Sequence, residues 1–251
     1  MKILIFTGYI PNINKIKINQ EKYDFVIAAD KGYEYALQIK VYPDLIIGDF
    51  DTAKFPTCTF KKTELITLPV EKDMTDTEAA LDIAATKRPS SITILGGLGG
   101  RFDHTMGNIA LLSKYDIPIK IKDEKNSVTL LRPGKYFVAK AEYKYLSLVP
   151  YSPAVSGLSI RGVKYPLEDA ELTHNNTLGI SNEIIATSPN ASPYEPLTSN
   201  DTPCEAYSNN DSICDSFANI TSPFGANQNI ASPACEISFK TGKLLVCQSN
   251  D

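Results

Sequence analysis

Two carboxylates one residue apart, Asp49 and Asp51, follow the apolar run of Pro43-Asp44-Leu45-Ile46-Ile47-Gly48-Asp49-Phe50-Asp51-Thr52. Leu45-Ile46-Ile47 predicts a short strand buried on both faces. Gly48 then lets the backbone turn and brings the acids out at the carboxyl end of that strand, the end where open parallel sheets bind ligands. Aspartates this close repel one another, and a shared Mg²⁺ that also takes substrate phosphate oxygens relieves the repulsion. A lone D-x-D is as readily an acidic turn. Its company argues for chemistry: Asp30, Asp73, Asp76 and Asp103 also follow apparent strand ends in the same half.

Leu95-Gly96-Gly97-Leu98-Gly99-Gly100-Arg101 is neither a P-loop nor a dinucleotide fingerprint, because neither spacing is met. Glycines nevertheless admit close backbone approach, exposed amides at a helix start favour an anion, and Arg101 offers a bidentate phosphate donor. Asp103 and His104 stand directly behind. His104 has no second histidine at ligand spacing, so nucleotide contact fits it better than metal ligation. His174 lies in an acidic turn and receives no role. Lys72, Asp73 and Asp76 precede or open a helix, where the dipole favours carboxylates by about 0.3–1 kcal/mol each without any function. That accounts for Asp76 and leaves Lys72-Asp73 unexplained.

The elements that would position these groups are read from periodicity. Strands are expected at Lys2 to Gly8, Asp24 to Asp30, the run before Gly48, Glu64 to Leu68 and Ser91 to Leu95. Helices are expected after Gly32, from Thr75 to Ala85 with Thr75 and Glu78 as a capping box, and from about Asp103 to Tyr115. This alternation predicts a doubly wound, mostly parallel α/β sheet domain over 1–117. From 118 to 251 short alternating runs predict an all-β sandwich domain: Ile119 to Lys122, Ser127 to Leu131, Lys135 to Ala139, Tyr143 to Val149 and Ser156 to Arg161. Ile237 to Phe239 and Leu244 to Cys247 read as a closing hairpin. Between about 186 and 233 both periodicities vanish into Ser, Asn, Pro and Thr, a low-complexity insertion expected to be disordered. Its Asn-x-Ser/Thr triplets follow from that composition rather than from glycan attachment.

The chain of 251 residues, 43% hydrophobic and 22% charged, has the make-up of a globular protein. Its net charge of −4 argues against nucleic acid, and no apolar run is long enough for a membrane span or a signal peptide. Five cysteines without a C-x-x-C pair argue for a reducing cytoplasm rather than a disulfide framework. Tyr165 to Phe239 contains ten acids and no Lys or Arg, so the rest of the chain carries +6. That excess suits a half that handles a polyanion through metal.

Together these stretches resemble the thiamine pyrophosphokinase (thiamine diphosphokinase) family in its bacterial form. The likeness is carried by Ala28-Ala29-Asp30-Lys31-Gly32, Pro43-Asp44 through Thr52, Glu71-Lys72-Asp73-Met74-Thr75-Asp76, and Gly96-Gly97 through His104 with Asn108. It continues in Asp123-Glu124-Lys125-Asn126, Gly157-Leu158 through Gly162-Val163-Lys164-Tyr165-Pro166-Leu167, and Gly179-Ile180-Ser181-Asn182-Glu183. The resemblance implies transfer of pyrophosphate from ATP to thiamine, giving thiamine diphosphate and AMP, by a homodimer with active sites at the subunit interface. It implies Mg²⁺ on Asp49, Asp51 and Asp76, and Asp30, Lys72, Arg101, Asp103, His104 and Asn108 about ATP. Asp73 joins Asp49, Asp51 and Asp76 as a catalytic carboxylate, and Ser181 and Asn182 belong to the thiamine pocket. The chain departs from the family in the insertion after Glu183 and in having no tryptophan. The alternatives are another metal-dependent phosphotransferase or phosphohydrolase built on Asp49-Phe50-Asp51, and a non-catalytic nucleotide or thiamine binder.

Overall fold

Strands made of uninterrupted apolar residues need a cover on each face. The computed structural model, which describes residues 1–50, 62–185 and 234–251, supplies both covers. Asp51 and the run expected to be disordered lie outside the described residues. β1 (Lys2–Phe6), β2 (Phe25–Ala29), β3 (Leu45–Gly48), β4 (Glu64–Thr67), β5 (Ser91–Leu95) and β6 (Ile119–Lys122) pair in parallel in the order β4-β3-β2-β1-β5-β6. α1 (Gly32–Gln38) seats Tyr33 and Ala36 against Leu4, Phe6, Val26 and Ala28 on one face. α2 (Asp76–Thr86) seats Ala79, Ala80, Leu81 and Ala84 against Ile3, Ile5, Ile27 and Ile47 on the other. α3 (Phe102–Leu111) follows β5, and Leu112 just beyond it joins the α2 side.

Among the described residues this sheet does not stop at β6. β7 (Asn126–Leu131), β13 (Leu244–Ser249) and β9 (Tyr145–Pro150) extend it antiparallel to nine strands. A second, four-stranded antiparallel sheet runs β11-β10-β12-β8, from β8 (Gly134–Ala139), β10 (Ala154–Arg161), β11 (Leu167–Thr173) and β12 (Ala234–Phe239). The alternation along β13 links the two halves. Leu244 and Val246 face Val155, Leu158, Ile160 and Ile237 inside the sandwich, while Leu245 turns to the core beneath α2.

The structure corrects four local expectations. β12 and β13 do not form a hairpin: they pair in different sheets, and Gly242 turns the chain between them at φ +90°. Ile237 and Phe239 instead meet Leu244 and Val246 in one core across the sandwich. β6, expected as the first strand of the sandwich, instead pairs in parallel with β5, because Ile119 and Ile121 complete the core under α2 and α3. β11 lies outside the expected strands, because its run LEDAELT buries only Leu172 and so lacks an alternating apolar signal. The α3 helix also ends at Leu111 rather than near Tyr115, which still packs on the same core.

Candidate functional site

β1 continues to β2 on one side and its other neighbour is β5, so the sheet's topological switch lies between β1 and β5. The loops leaving β1, β2, β3 and β5 gather at that carboxyl edge.

Asp30 leaves β2 in the left-handed region, φ +49°, a conformation that aspartate tolerates better than most side chains. Its amide donates to Ile47 O at 2.8 Å. A Cβ at Gly8 would stand 3.1 Å from Asp30 Oδ2, and one at Gly48 would stand 3.2 Å from its Cα. The two glycines thus let β1 and β3 close on Asp30 from either side. Asp49 follows directly, and Phe50 turns the chain at φ +55°.

Asp76 arrives from a different element. Thr75 caps α2, its Oγ1 accepting the Glu78 amide at 3.2 Å, so Asp76 is the first helical residue and lies at the positive end of the dipole. Lys72, four residues earlier, joins the two regions. Its ammonium contacts Asp49 and stands 3.3 Å from Asp76 Oδ1. The three side chains are only 14% (Lys72), 12% (Asp49) and 22% (Asp76) exposed. Burial pushes the Asp76 carboxyl up, Lys72 pulls it back, and the charges on Asp49 and Asp30 raise it further, with a net rise. Burial works against the Lys72 ammonium, but Asp49 and Asp76 outweigh it and its pKa is raised. Four expected site residues, Asp30, Asp49, Lys72 and Asp76, are therefore brought together. Asp73 is exposed on the loop before α2.

Among the described residues no three His, Cys, Asp or Glu side chains are grouped so as to hold a metal by themselves. Mg²⁺ asks for less: one or two carboxylates, water and substrate phosphate. An all-oxygen donor set already bridged by one cation, with Asp76 Oδ1 enclosed against the Lys72 ammonium, fits such an ion.

The glycine-rich loop is anchored at its root and open at its tip. Gly96 and Gly97 have φ of +80° and +74°, and a Cβ at Gly96 would lie 2.3 Å from Tyr9 O. The Gly97 amide donates to Tyr9 O, and buried Asn108 donates from Nδ2 to Gly97 O at 2.8 Å. Asn108 thus fixes the loop's shape. Gly99 and Gly100 are exposed, and the Tyr9 ring lies 3.1 Å from where a Gly100 Cβ would stand. Arg101 donates to Asp103 through Nε at 3.1 Å and Nη2 at 2.6 Å, and Asp103 Oδ1 accepts the His104 amide at 2.9 Å. Arg101, Asp103 and His104 are all exposed beside the loop tip. Tyr9 was missed by the sequence reading, since an isolated tyrosine after a strand carries no motif.

At the sandwich, Ser181 and Asn182 divide. Ser181 is exposed in the left-handed region, φ +59°, with its amide donating to Ser147 Oγ. Asn182 is 6% exposed, and both ends of its amide hold the Tyr165 backbone. Gly179 and Ile180, just before Ser181, line a recess of about 340 Å³ with Leu148, Leu172 and His174. His174 was given no role from sequence because nothing near it in the chain foretells this recess.

A doubly wound sheet with charged loops at its switch edge, continued into a sandwich, defines the class of α/β proteins that bind ligands at the sheet's carboxyl end. Comparison with known proteins narrows the class. The family model described as "Thiamin pyrophosphokinase, catalytic domain" matches residues 17–122, and "Thiamin pyrophosphokinase, vitamin B1 binding domain" matches 135–190. The thiamine pyrophosphokinase of Bacillus subtilis (strain 168) is 39% identical over 166 residues, 63% of this chain and 78% of that protein. A crystal structure of thiamine pyrophosphokinase from Bacillus subtilis aligns over 100% of both chains with TM-score 0.71 and 28% identity. One from Geobacillus thermodenitrificans aligns over 100% of this chain and 98% of its own, with TM-score 0.71 and 29% identity. The chain belongs to the thiamine pyrophosphokinase family.

Proposed function

We propose that this protein is a thiamine diphosphokinase, which moves the pyrophosphoryl group of ATP onto the hydroxyl of thiamine and releases AMP. The observation that carries the reading, beside family membership, is the convergence of Asp49 and Asp76 on Lys72 at the switch edge, with the charge of Asp30 acting on Asp76. In-line attack on the β-phosphorus needs alignment and charge neutralisation more than covalent chemistry. Asp49, Asp51 and Asp76 would hold Mg²⁺, which when bound supplies the positive charge that offsets the triphosphate. Asp30 adds its charge beside Asp76, and Lys72 serves the phosphates. The open glycine tip with Arg101, Asp103 and His104 receives the rest of ATP, while Asn108 holds the loop. Asp73, exposed and not taken by Lys72, accepts the proton of the thiamine hydroxyl. Ser181 and the recess beside it receive thiamine, and Asn182 shapes that side through Tyr165.

The division of labour we propose is 1–117 for ATP and metal and 118–251 for thiamine, which the two family-model ranges support. We further propose a homodimer that joins one copy's nucleotide side to the other's thiamine side. Exposed Phe102 and Met106 on α3, with Tyr165, Leu178, Ile180 and Ile185 around Ser181, support it as apolar surface needing cover. Cys235 and Cys247 are free thiols, in keeping with a cytoplasmic setting, and no helix among the described residues is long and apolar enough to cross a membrane. The phosphohydrolase alternative leaves Lys72 and the Ser181 side without a task.

The test is direct. With Mg²⁺, ATP and thiamine the protein forms AMP and thiamine diphosphate in equal amounts. ADP or free phosphate as the product overturns the reading.

A further inference from the structure

The described residues place a cation of the chain's own where the metal of the proposed reaction would act. Lys72 contacts Asp49 at the end of β3 and lies 3.3 Å from Asp76 Oδ1 at the start of α2, with Pro69 O at 3.4 Å also within reach of its ammonium. With the three side chains 12% to 22% exposed, water screens these charges weakly. We propose that Lys72 is a built-in stand-in cation: in the nucleotide-free protein it links Asp49 to Asp76 and keeps a divalent ion from joining them, and it yields only when a triphosphate arrives to receive it. This positioning role rests on Asp49 and Asp76 being the metal-binding carboxylates.

The physical argument concerns where the ammonium can go. An ammonium and a divalent ion cannot share the gap between two carboxylates, since each repels the other at a few ångströms. If the metal enters alone, Lys72 must give up two charge-assisted contacts with no anion in exchange. If it enters with ATP, the flexible four-carbon stem lets Lys72 turn to a phosphate oxygen, and the carboxylates pass to the metal. Metal and nucleotide therefore favour each other's binding, and by linkage the coupling is reciprocal. A site closed in this way would take up a metal–nucleotide complex and discriminate against bare divalent ions.

Equilibrium dialysis of the full-length protein against Mn²⁺, with any analogue present on both sides of the membrane, reads this coupling without turnover as the Mn²⁺ held in excess on the protein side. It is run with Mn²⁺ alone and with Mn²⁺ plus α,β-methylene-ATP, which cannot transfer its pyrophosphoryl group. In the wild type, Mn²⁺ alone binds weakly and the analogue tightens it at least tenfold or so. Lys72→Gln and Lys72→Met bind Mn²⁺ alone about tenfold more tightly than wild type and lose most of the enhancement, whereas Lys72→Arg keeps the wild-type pattern. A lysine that merely stabilises the loop predicts the opposite, weaker metal binding on its removal. Equal or weaker binding of Mn²⁺ alone by both neutral variants overturns the proposal. So does a wild type that binds Mn²⁺ equally with and without the analogue, a result that needs no variant. Asp76→Asn tells the two readings apart: if it leaves Mn²⁺ binding with the analogue intact, the metal assignment itself falls, and the stand-in role with it.

Discussion

Asn182 holds Tyr165 by both backbone groups, its Oδ1 accepting the Tyr165 amide at 3.0 Å and its Nδ2 donating to the Tyr165 carbonyl at 2.7 Å. The pair ties the Ser181 loop to the turn before β11, the partners standing 17 positions apart in sequence. Asn182→Ala leaves two part-buried backbone groups without these bonds, a cost of about 1 kcal/mol. Denaturant titration should show that loss. Steady-state kinetics should show a raised KM for thiamine with the KM for ATP little changed, and an unchanged thiamine KM would remove Asn182 from the thiamine side.

Asp76→Asn is expected to lower turnover at least a hundredfold or so while the circular dichroism spectrum stays that of the wild type, as for loss of a preorganised charge in phosphoryl transfer. The thermal midpoint should not fall, because burial and the neighbouring Asp49 and Asp30 already disfavour the charged carboxylate in the fold. A variant that keeps activity would show that the carboxylate serves only as a helix-start residue.

Two glycines make a paired test of the nucleotide loop. Gly96→Ala puts a Cβ 2.3 Å from Tyr9 O at φ +80°, so a loss of about 2 kcal/mol or more is expected, with ATP binding weakened further. Gly107→Ala, on exposed α3 with nothing within 4 Å of the added methyl, should instead stabilise by about 0.5–1 kcal/mol. Thermal unfolding of the two variants side by side decides the matter.

The cap of α2 is worth a separate measurement. Thr75→Ala removes the oxygen that accepts the Glu78 amide, at a cost of about 1 kcal/mol, and Thr75→Ser should recover most of it. Because α2 starts with Asp76, the alanine variant should also weaken ATP binding.

Asp82 offers a pH test away from the site. Burial pushes its carboxyl up, but Lys114 at 2.8 Å and the Tyr115 hydroxyl at 2.7 Å outweigh burial and hold it below the usual 3.8. A folded-state value depressed in this way contributes stability that is present above the unfolded value and lost as pH falls through the folded one. Asp82→Asn should therefore be less stable than wild type at pH 7, with the gap closing as pH drops below about 3.8. A gap that persists unchanged in acid would assign the effect to packing alone.

Much of this molecule was legible one neighbourhood at a time. The doubly covered strands declared themselves as unbroken apolar runs such as Leu45-Ile46-Ile47, and Thr75 with Glu78 marked the start of α2, because burial on both faces and capping act within a few residues. The aspartates at strand ends, the glycine loop and the family likeness followed from those signals. Pairings made across the fold were not legible. Nothing near Lys72 in the chain announces Asp49, 23 residues away. Nothing in the Leu244 stretch says that it will lie across the sandwich from Ile237 instead of beside it, nor does LEDAELT announce a strand with one buried residue. Local order of side chains decides which segments become strands and helices. Which of them touch depends on burying apolar rows and enclosing charges together, a balance struck only when distant segments meet in three dimensions.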